Sequence, residues 1–173
     1  PRSRIFTRLS LLVGGLVLPA SPAGAEPIGA AERFVRQAYV DVVRDADPDQ
    51  ADVDAAVSDL AAGESQAVWL WNLLQSDDGR GAFVDTEFAR LLDRPVDPSG
   101  RAFYIGKLER GSTRANLRSF LVGSNEYFTK AGATNATYVE AAYTDVLGRK
   151  PDPSGQAYWT NKLNNGADRG SVA

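Results

Sequence analysis

The sequence predicts an all-α protein made of short helices in repeated helix-turn-helix units. Apolar residues recur at helical spacing in three places, with the same internal pattern. The turn DPSG occurs twice, at 97–100 and 152–155, and an aromatic pair follows soon after it each time. Almost no segment alternates apolar and polar residues with the two-residue period of a strand. Each copy of this helical pattern is called a repeat below.

Residues 1–25 have the pattern of a secretory signal peptide. Three arginines precede an apolar core from Leu9 to Leu18, and Ala23-Gly24-Ala25 supplies the small residues that signal peptidase requires. The alternative is an uncleaved anchor, which is disfavoured because a membrane-spanning helix needs about 20 apolar residues. No later stretch is apolar enough to span a membrane. We therefore expect cleavage before Glu26 and a secreted or cell-surface protein.

The first helix of each repeat is predicted from apolar residues at i, i+1, i+4, i+5, i+8 and i+9, which share one helical face. The copies start at Phe34, Phe83 and Tyr138, with offsets of 49 and 55 residues, and Glu87 interrupts the second. Self-similarity of this length is typical of repeated helical units. The apolar positions are Phe34, Val35, Ala38, Tyr39, Val42 and Val43; Phe83, Val84, Phe88, Leu91 and Leu92; and Tyr138, Val139, Ala142, Tyr143, Val146 and Leu147.

The turn that follows is predicted to end one helix and begin the next. Gly148 suits the left-handed conformation that ends a helix, and Asp93 stands in its place in the second repeat. Asp152 is predicted to cap the next helix, and Pro153 suits the first helical position. The residues with this structural role are Asp97, Pro98 and Gly100 in the second repeat, and Gly148, Arg149, Asp152, Pro153 and Gly155 in the third.

Further helices complete the repeat. The second helix carries the aromatic pair and ends at Gly111 or, in the third repeat, at Gly166. A third helix begins at a cap, Ser112 or Thr113, and carries the apolar residues Leu117, Phe120, Leu121 and Val122. Ser124 is a possible cap for a short helical turn after it. The first repeat fills this slot 48 residues earlier, with Trp69, Leu70, Leu73 and Leu74, but it lacks the DPSG glycine.

These patterns divide the chain into five segments. They are the signal peptide 1–25, a degenerate first repeat 26–82, a second repeat 83–130, a polar linker 131–137 and a third repeat 138–173. The chain contains no Met, the initiator included, and it stops inside the third repeat. We therefore interpret it as a fragment.

Composition excludes several kinds of chemistry. The chain has no Cys and no His, so it has no thiolate or imidazole metal ligand and no Ser-His-Asp or Cys-His nucleophile system. Its 19 Lys and Arg, less the three arginines of residues 1–25, oppose 22 Asp and Glu, so the cleaved chain carries a net charge of −6. An acidic protein is a poor partner for nucleic acid. We expect a protein that is not an enzyme and does not bind nucleic acid.

The motif residues resemble the bacterial extracellular family known as the domain of unknown function 4214. Its pattern is an aromatic-rich helix, an LGR-x-PD-x-x-G turn, a Tyr-Trp helix and a Ser-x-Glu-aromatic end. The resemblance covers 83–173 well and 34–78 weakly. The second repeat departs from the pattern with Asp93 for the turn glycine and Val96 for the proline. The matching residues are Tyr143, Leu147, Gly148, Arg149, Pro151, Asp152, Gly155, Tyr158 and Trp159 in the third repeat, and Leu92, Arg94, Asp97, Gly100, Tyr104, Ser124, Glu126, Tyr127 and Phe128 in the second.

The resemblance implies a helical interaction or spacer module. The family is similar to the helical linker domain of phycobilisomes and often accompanies surface-layer, calcium-binding or other secreted modules. It supplies no catalytic residues.

One acidic stretch is a candidate metal site. Asp45, Asp47, Asp49 and Asp52 recur in a predicted loop, as the oxygen ligands of calcium loops do. Gln50, however, occupies the place of the loop glycine, and the twelfth position lacks the bidentate Glu. The alternative is a polar turn with a helix cap at Asp49 or Asp52. Calcium is the single cofactor that the sequence suggests.

A possible binding face combines Tyr104, Trp159 and Arg94. Neighbouring aromatics on a helix point in different directions, so one member of each pair is expected to be partly exposed. Core packing is the alternative for both pairs. Arg94 and its counterpart Arg149 are expected to pair with helix C-terminal carbonyls or with the turn aspartate rather than to bind an anion. The pairs are Phe103 with Tyr104 and Tyr158 with Trp159.

Together these features predict a secreted, non-enzymatic interaction or spacer module. Its partner is expected to be an unknown protein or a cell-surface polymer. Three alternatives remain open: a calcium-binding module that uses 45–54, a targeting domain of an enzyme lost with the missing C-terminus, and a carboxylate-based hydrolase.

Overall fold

The computed structural model describes residues 29–172, and in this range it contains helices and no strands. The all-α prediction is therefore confirmed. A π-helical turn, Tyr39–Val43, extends the first helix, and a 3-10 turn, Arg169–Ser171, follows the last. The predicted signal peptide 1–25 lies outside the described residues. The helices are α1 Ala30–Ala38, α2 Gln50–Ala61, α3 Gln66–Gln75, α4 Asp77–Leu92, α5 Pro98–Glu109, α6 Arg114–Val122, α7 Asn125–Lys130, α8 Asn135–Leu147 and α9 Pro153–Asn164.

The chain forms two compact units, which end and begin at Ala82 and Phe83, inside α4. The described part of the first unit has its own apolar core, in which Trp69 is fully buried with its ring centroid 5.7 Å from that of Phe34. Burial of such large side chains stabilises the packing of α1 on α2 and α3. The buried core residues of this unit are Val35, Ala38, Tyr39, Val53, Ala56, Trp69 and Leu73.

The second unit packs α5 to α9 and the end of α4 around a separate core. Tyr127 and Tyr138 are almost fully buried and meet edge to face, with ring centroids 5.8 Å apart. The Tyr138 hydroxyl donates to the Arg169 carbonyl at 2.9 Å, so its polar end is satisfied. The buried core residues are Phe83, Val84, Phe88, Leu91, Leu92, Leu108, Leu117, Leu121, Val122, Tyr127, Tyr138, Val139, Ala142 and Leu163.

The three repeats share backbone geometry as well as sequence. The first helix ends at a left-handed residue each time: Arg44, Asp93 and Gly148 have φ of 62°, 54° and 66°. The second helix, α2, α5 or α9, has 12 residues in every repeat. A left-handed glycine follows each of these helices, at positions 63, 111 and 166. The first repeat, degenerate in sequence, therefore has the same local fold.

The corner after the third helix is also repeated. Ser76 donates its hydroxyl to the Leu73 carbonyl at 2.7 Å and accepts the Gly79 N–H at 3.1 Å. Ser124, 48 residues later, donates to the Leu121 carbonyl at 2.7 Å and accepts the Tyr127 N–H at 3.1 Å. In both places one serine ends a helix and caps the next.

The offset between the second and third repeats is longer than the offset between the first and second, because one turn is inserted. Asp77–Leu92 is continuous helix, whereas the corresponding segments α7 and α8 are separated by a turn in which Gly132 and Ala133 have φ of 96° and 56°. Thr134 caps α8, accepting the Thr137 N–H at 3.2 Å. Helix α8 therefore begins at Asn135, and the last three residues of the predicted linker 131–137 are its first turn.

Candidate interaction surface

The DPSG turns act as helix starts. The Asp97 carboxylate accepts the Gly100 N–H at 2.9 Å and the Ser99 hydroxyl at 2.5 Å. Asp152 makes the same two hydrogen bonds, at the same distances, to Gly155 and to the serine before it. These bonds, from the serine hydroxyl first and the glycine N–H second, hold the pKa of both carboxyls below the ordinary value. Such carboxyls stay ionised at neutral pH and serve backbone geometry.

Arg94 has a different partner from the predicted ones. Its guanidinium forms a bidentate pair with Glu126 on α7, with Nη2 2.9 Å from Oε2, and lies over the Phe88 ring with Cζ 5.1 Å from the centroid. Nη1 also donates to the Pro95 carbonyl at 3.1 Å. The expected pairing with the turn aspartate is wrong, because α7 brings a carboxylate from 32 residues away. Arg94, the cation of the predicted binding face, is therefore engaged in an ion pair.

Arg149 is held in the same way but without the carboxylate. Its Cζ lies 5.4 Å from the Tyr143 ring centroid, and Nη1 donates to the Lys150 carbonyl at 3.3 Å. Between residues 29 and 172, no carboxylate lies within ion-pair distance of this guanidinium. Arg149 is exposed. Its contacts among the described residues are thus an aromatic ring and a backbone carbonyl.

The aromatic pairs point in two directions, as consecutive helical residues must. Tyr104 and Trp159 are partly buried against the core of the second unit, whereas Phe103 is 50 % exposed and Tyr158 is 54 % exposed. The predicted binding face contains Tyr104 and Trp159. The more exposed residue of each pair is instead the one that precedes it in the sequence, Phe103 or Tyr158. The sequence spacing did not distinguish the two members.

A groove lies between α5 and α6. We call it the α5–α6 groove and define it by five of the side chains that line it: Phe103, Tyr104, Lys107, Asn116 and Phe120. Its volume is about 290 Å³. The Tyr104 ring meets those of Phe88, Phe103 and Phe120, with centroids 5.4, 5.2 and 5.8 Å apart. Apolar walls with a few polar groups are typical of ligand sites.

Phe120, one of the apolar residues predicted on the third helix of the second repeat, lines this groove. It is 62 % exposed, whereas Leu117 and Leu121 on the same helix are almost fully buried. Positions 117, 120 and 121 all fit one helical stripe, so the sequence contained no signal that separates Phe120 from its neighbours. The difference arises because the core contacts the other side of the stripe.

The segment of the predicted calcium loop, 45–54, overlaps the start of α2. Asp49 caps α2, accepting the Ala51 N–H at 2.9 Å, and Asp52 already lies on that helix. Asp45 accepts the Asp47 N–H at 3.0 Å, which closes a local turn. In the part of the chain that the structure describes, no group of three or more acidic side chains is placed to hold a metal ion. The alternative reading, a polar turn with a cap at Asp49, describes this segment.

Glu87 interrupts the apolar stripe of the second repeat, and its charged side chain is buried in the second unit. It is 2 % exposed and pairs with Arg90 at 2.7 Å and with Arg118 at 2.8 Å. Burial by itself would raise the pKa of its carboxyl, but the hydrogen bonds from Arg118 and Arg90 outweigh burial and lower the pKa below its ordinary value. The carboxylate thus links α4 to α6.

Comparison with known proteins gives one match. A family model described as a domain of unknown function, DUF4214, matches residues 79–131 and again residues 118–173. The matches cover the second and third repeats and share 118–131, which contains α7 and the Arg94 partner Glu126. A search of curated proteins and a search of solved structures gave no match.

Proposed function

Because this chain belongs to the DUF4214 family of domains of unknown function, and because its described residues form a helical structure, we propose that it is a secreted, non-enzymatic interaction module. It acts at the bacterial cell surface or in the extracellular space. There it binds a protein or a surface polymer through exposed aromatic side chains.

The single observation that carries this proposal is the α5–α6 groove. Phe103 and Phe120 are both at least half exposed, although a packed helical core lies directly beneath them. Large exposed apolar side chains that cluster around a groove mark binding sites more often than isolated ones do. Lys107, with its Nζ 5.4 Å from the Phe103 ring centroid, adds a cation at the rim. The groove thus suits an occupant with an apolar or ring-shaped face and an acidic group.

A non-enzymatic role is supported by the state of the carboxyls. A carboxyl that acts as a general acid near neutral pH needs a raised pKa. Asp97, Asp152, Glu87 and Glu126 all have a lowered pKa, because each accepts hydrogen bonds that stabilise its charge. These groups are engaged in caps and ion pairs, which favours a structural role for each of them.

Secretion is supported by the pattern of residues 1–25. Within residues 29–172, none of the helices has the length and apolar character needed to cross a bilayer. A fusion of residues 1–40 to an enzyme that is active only after export tests this part of the proposal. We expect export activity with the native segment and none when Leu12 and Val13 are replaced by Asp. Equal activity from both fusions would contradict secretion by this segment.

The interaction itself is tested with the secreted chain and cell envelopes of the source bacterium. We expect the wild-type chain to sediment with the envelopes and the Phe103→Ser/Phe120→Ser double variant to lose most of this binding. The matched control is Val68→Ser/Trp71→Ser, which removes two exposed side chains from α3 in the other unit. Equal binding by wild type and groove variant, or a failure of both to bind, would contradict the groove as the interaction site. Circular dichroism spectra establish that all variants are folded.

A further inference from the structure

The surface at the end of α8 resembles the surface at the end of α4. The apolar residues at the end of α4 are buried, whereas those at the end of α8 are exposed. The α8-end surface is defined here as Tyr143, Val146, Leu147 and Arg149. Val146 is 36 % exposed and Leu147 is 56 % exposed. The residues 55 positions earlier, Leu91 and Leu92, are 0 % and 8 % exposed. The two surfaces thus have similar side chains and different degrees of burial.

The short helix α7 lies against the end of α4. Glu126 pairs with Arg94, and Lys130 reaches both the Leu91 carbonyl and the Asp93 carboxylate at 3.0 Å. Tyr127 is buried in the same apolar cluster as Leu91 and Leu92, and Phe128 packs against that cluster. A Ser-capped helix with the order Ser-x-Glu-aromatic-aromatic therefore supplies the charge at this position, and its aromatic side chains belong to the apolar cluster in which Leu91 and Leu92 are buried.

The α8-end surface is already arranged for such a helix. The turn residue is left-handed in both places, with φ of 54° at Asp93 and 66° at Gly148. Arg94 and Arg149 lie over an aromatic ring at 5.1 and 5.4 Å. Each also donates through Nη1 to the carbonyl of the next residue, at 3.1 and 3.3 Å. The guanidinium is thus positioned before any partner arrives, which lowers the entropic cost of binding.

We propose that the α8-end surface binds a helix of the α7 type, a Ser-x-Glu-aromatic-aromatic segment carried by a repeat of the same family other than the repeats of this sequence. The glutamate pairs with Arg149, and the two aromatic side chains cover Val146 and Leu147. This inference goes beyond the proposed function, because it concerns a surface other than the α5–α6 groove. The complementarity is specific, because Arg149 is a cation without a carboxylate among the described residues, and α7 delivers a carboxylate to the matching cation Arg94.

The probe is a synthetic peptide with the sequence of residues 112–131, which contains α6 and α7. Isothermal titration calorimetry of the whole chain with this peptide is expected to show binding. Arg149→Glu in the chain weakens binding about tenfold or more, since it replaces an attraction by a repulsion. A Glu126→Arg version of the peptide is expected to bind the Arg149→Glu chain better than it binds wild type. This rescue separates a direct ion pair from a loss of fold.

Arg110→Glu is the matched control, because Arg110 is an exposed arginine beyond the end of α5. It should leave peptide binding unchanged. Three outcomes overturn the inference: no binding at peptide concentrations of about 1 mM, equal binding by wild type and Arg149→Glu, or an Arg149-dependent dimer without peptide, which would make a second copy the occupant. Envelope binding depends on a different surface, the α5–α6 groove. Loss of peptide binding with envelope binding intact therefore rejects this inference and leaves the proposed function standing.

Discussion

Glu87 is the residue whose role depends most on its surroundings. It occupies an apolar position, where the first and third repeats have Ala38 and Ala142. Its carboxylate is buried but compensated by Arg90 and Arg118, whose side chains are 38 % and 47 % exposed. Because both cations keep contact with water, desolvation falls mainly on the carboxylate. The two ion pairs therefore stabilise the packing of α6 on α4, and this stabilisation depends on pH.

Replacing Glu87 by Gln should lower the free energy of unfolding at pH 7 by about 1.5–3 kcal/mol, the usual value for hydrogen bonds to a charged group. The folded-state pKa lies below the unfolded value of 4.5. The contribution of the charge is therefore complete above pH 4.5 and is lost as the pH falls from 4.5 through the folded-state pKa. We expect the difference between wild type and Glu87→Gln to shrink in that window. Urea unfolding at several pH values measures it.

Glu109→Gln is the control for this series, since Glu109 is an exposed residue at the end of α5. Its stability should follow that of wild type at every pH. A constant difference between wild type and Glu87→Gln from pH 7 to pH 3 would contradict the assignment of the lowered pKa to this ion pair.

At the scale of the helix, the recurring element is a 12-residue helix with an aspartate before it and a left-handed glycine after it. Asp49, Asp97 and Asp152 all accept a backbone N–H near the start of the helix that follows. A proline occupies the first position of α5 and α9, where its missing N–H costs nothing. Start and stop signals of this kind are local, so each helix has the same length even where the side chains differ.

Removing a cap should destabilise its helix by a predictable amount. Asp152→Ala is expected to lower the melting temperature by a few degrees, because the Gly155 N–H loses its acceptor. Asp152→Asn should cost much less, since Asn caps helices about as well as Asp. Thermal unfolding followed by circular dichroism compares the two. An equal loss in both variants would show that the charge, and not the cap, is what matters at this turn.

At the scale of the whole chain, two cores form from separate sets of residues. The buried cluster of the first unit lies between Val35 and Leu73, and that of the second lies between Phe83 and Leu163. A unit that buries its own apolar residues has the main source of folding free energy within itself. The family match also falls on 79–173, close to the second unit.

The piece 76–173, which starts at the residue before α4, is therefore expected to fold alone. Its circular dichroism spectrum should be helical, and it should unfold in one cooperative thermal transition. The matched control is the same piece with Leu121→Asp, which places a charge at a position that is 2 % exposed and should abolish the transition. A helical spectrum that fades gradually with temperature in the unsubstituted piece would contradict an independent core.

The sequence by itself determined the all-α class, the repeated helices and their starts and stops at the DPSG turns. Caps, proline positions and glycine turns act within four residues of one another, so local spacing is sufficient to predict them. The tertiary structure alone decided that Arg94 pairs with Glu126, that Phe103 and Tyr158 are the exposed members of their pairs, and that Phe120 faces outward. These outcomes depend on how distant helices pack, and a helical stripe has edges whose exposure is settled only when a neighbouring helix covers them.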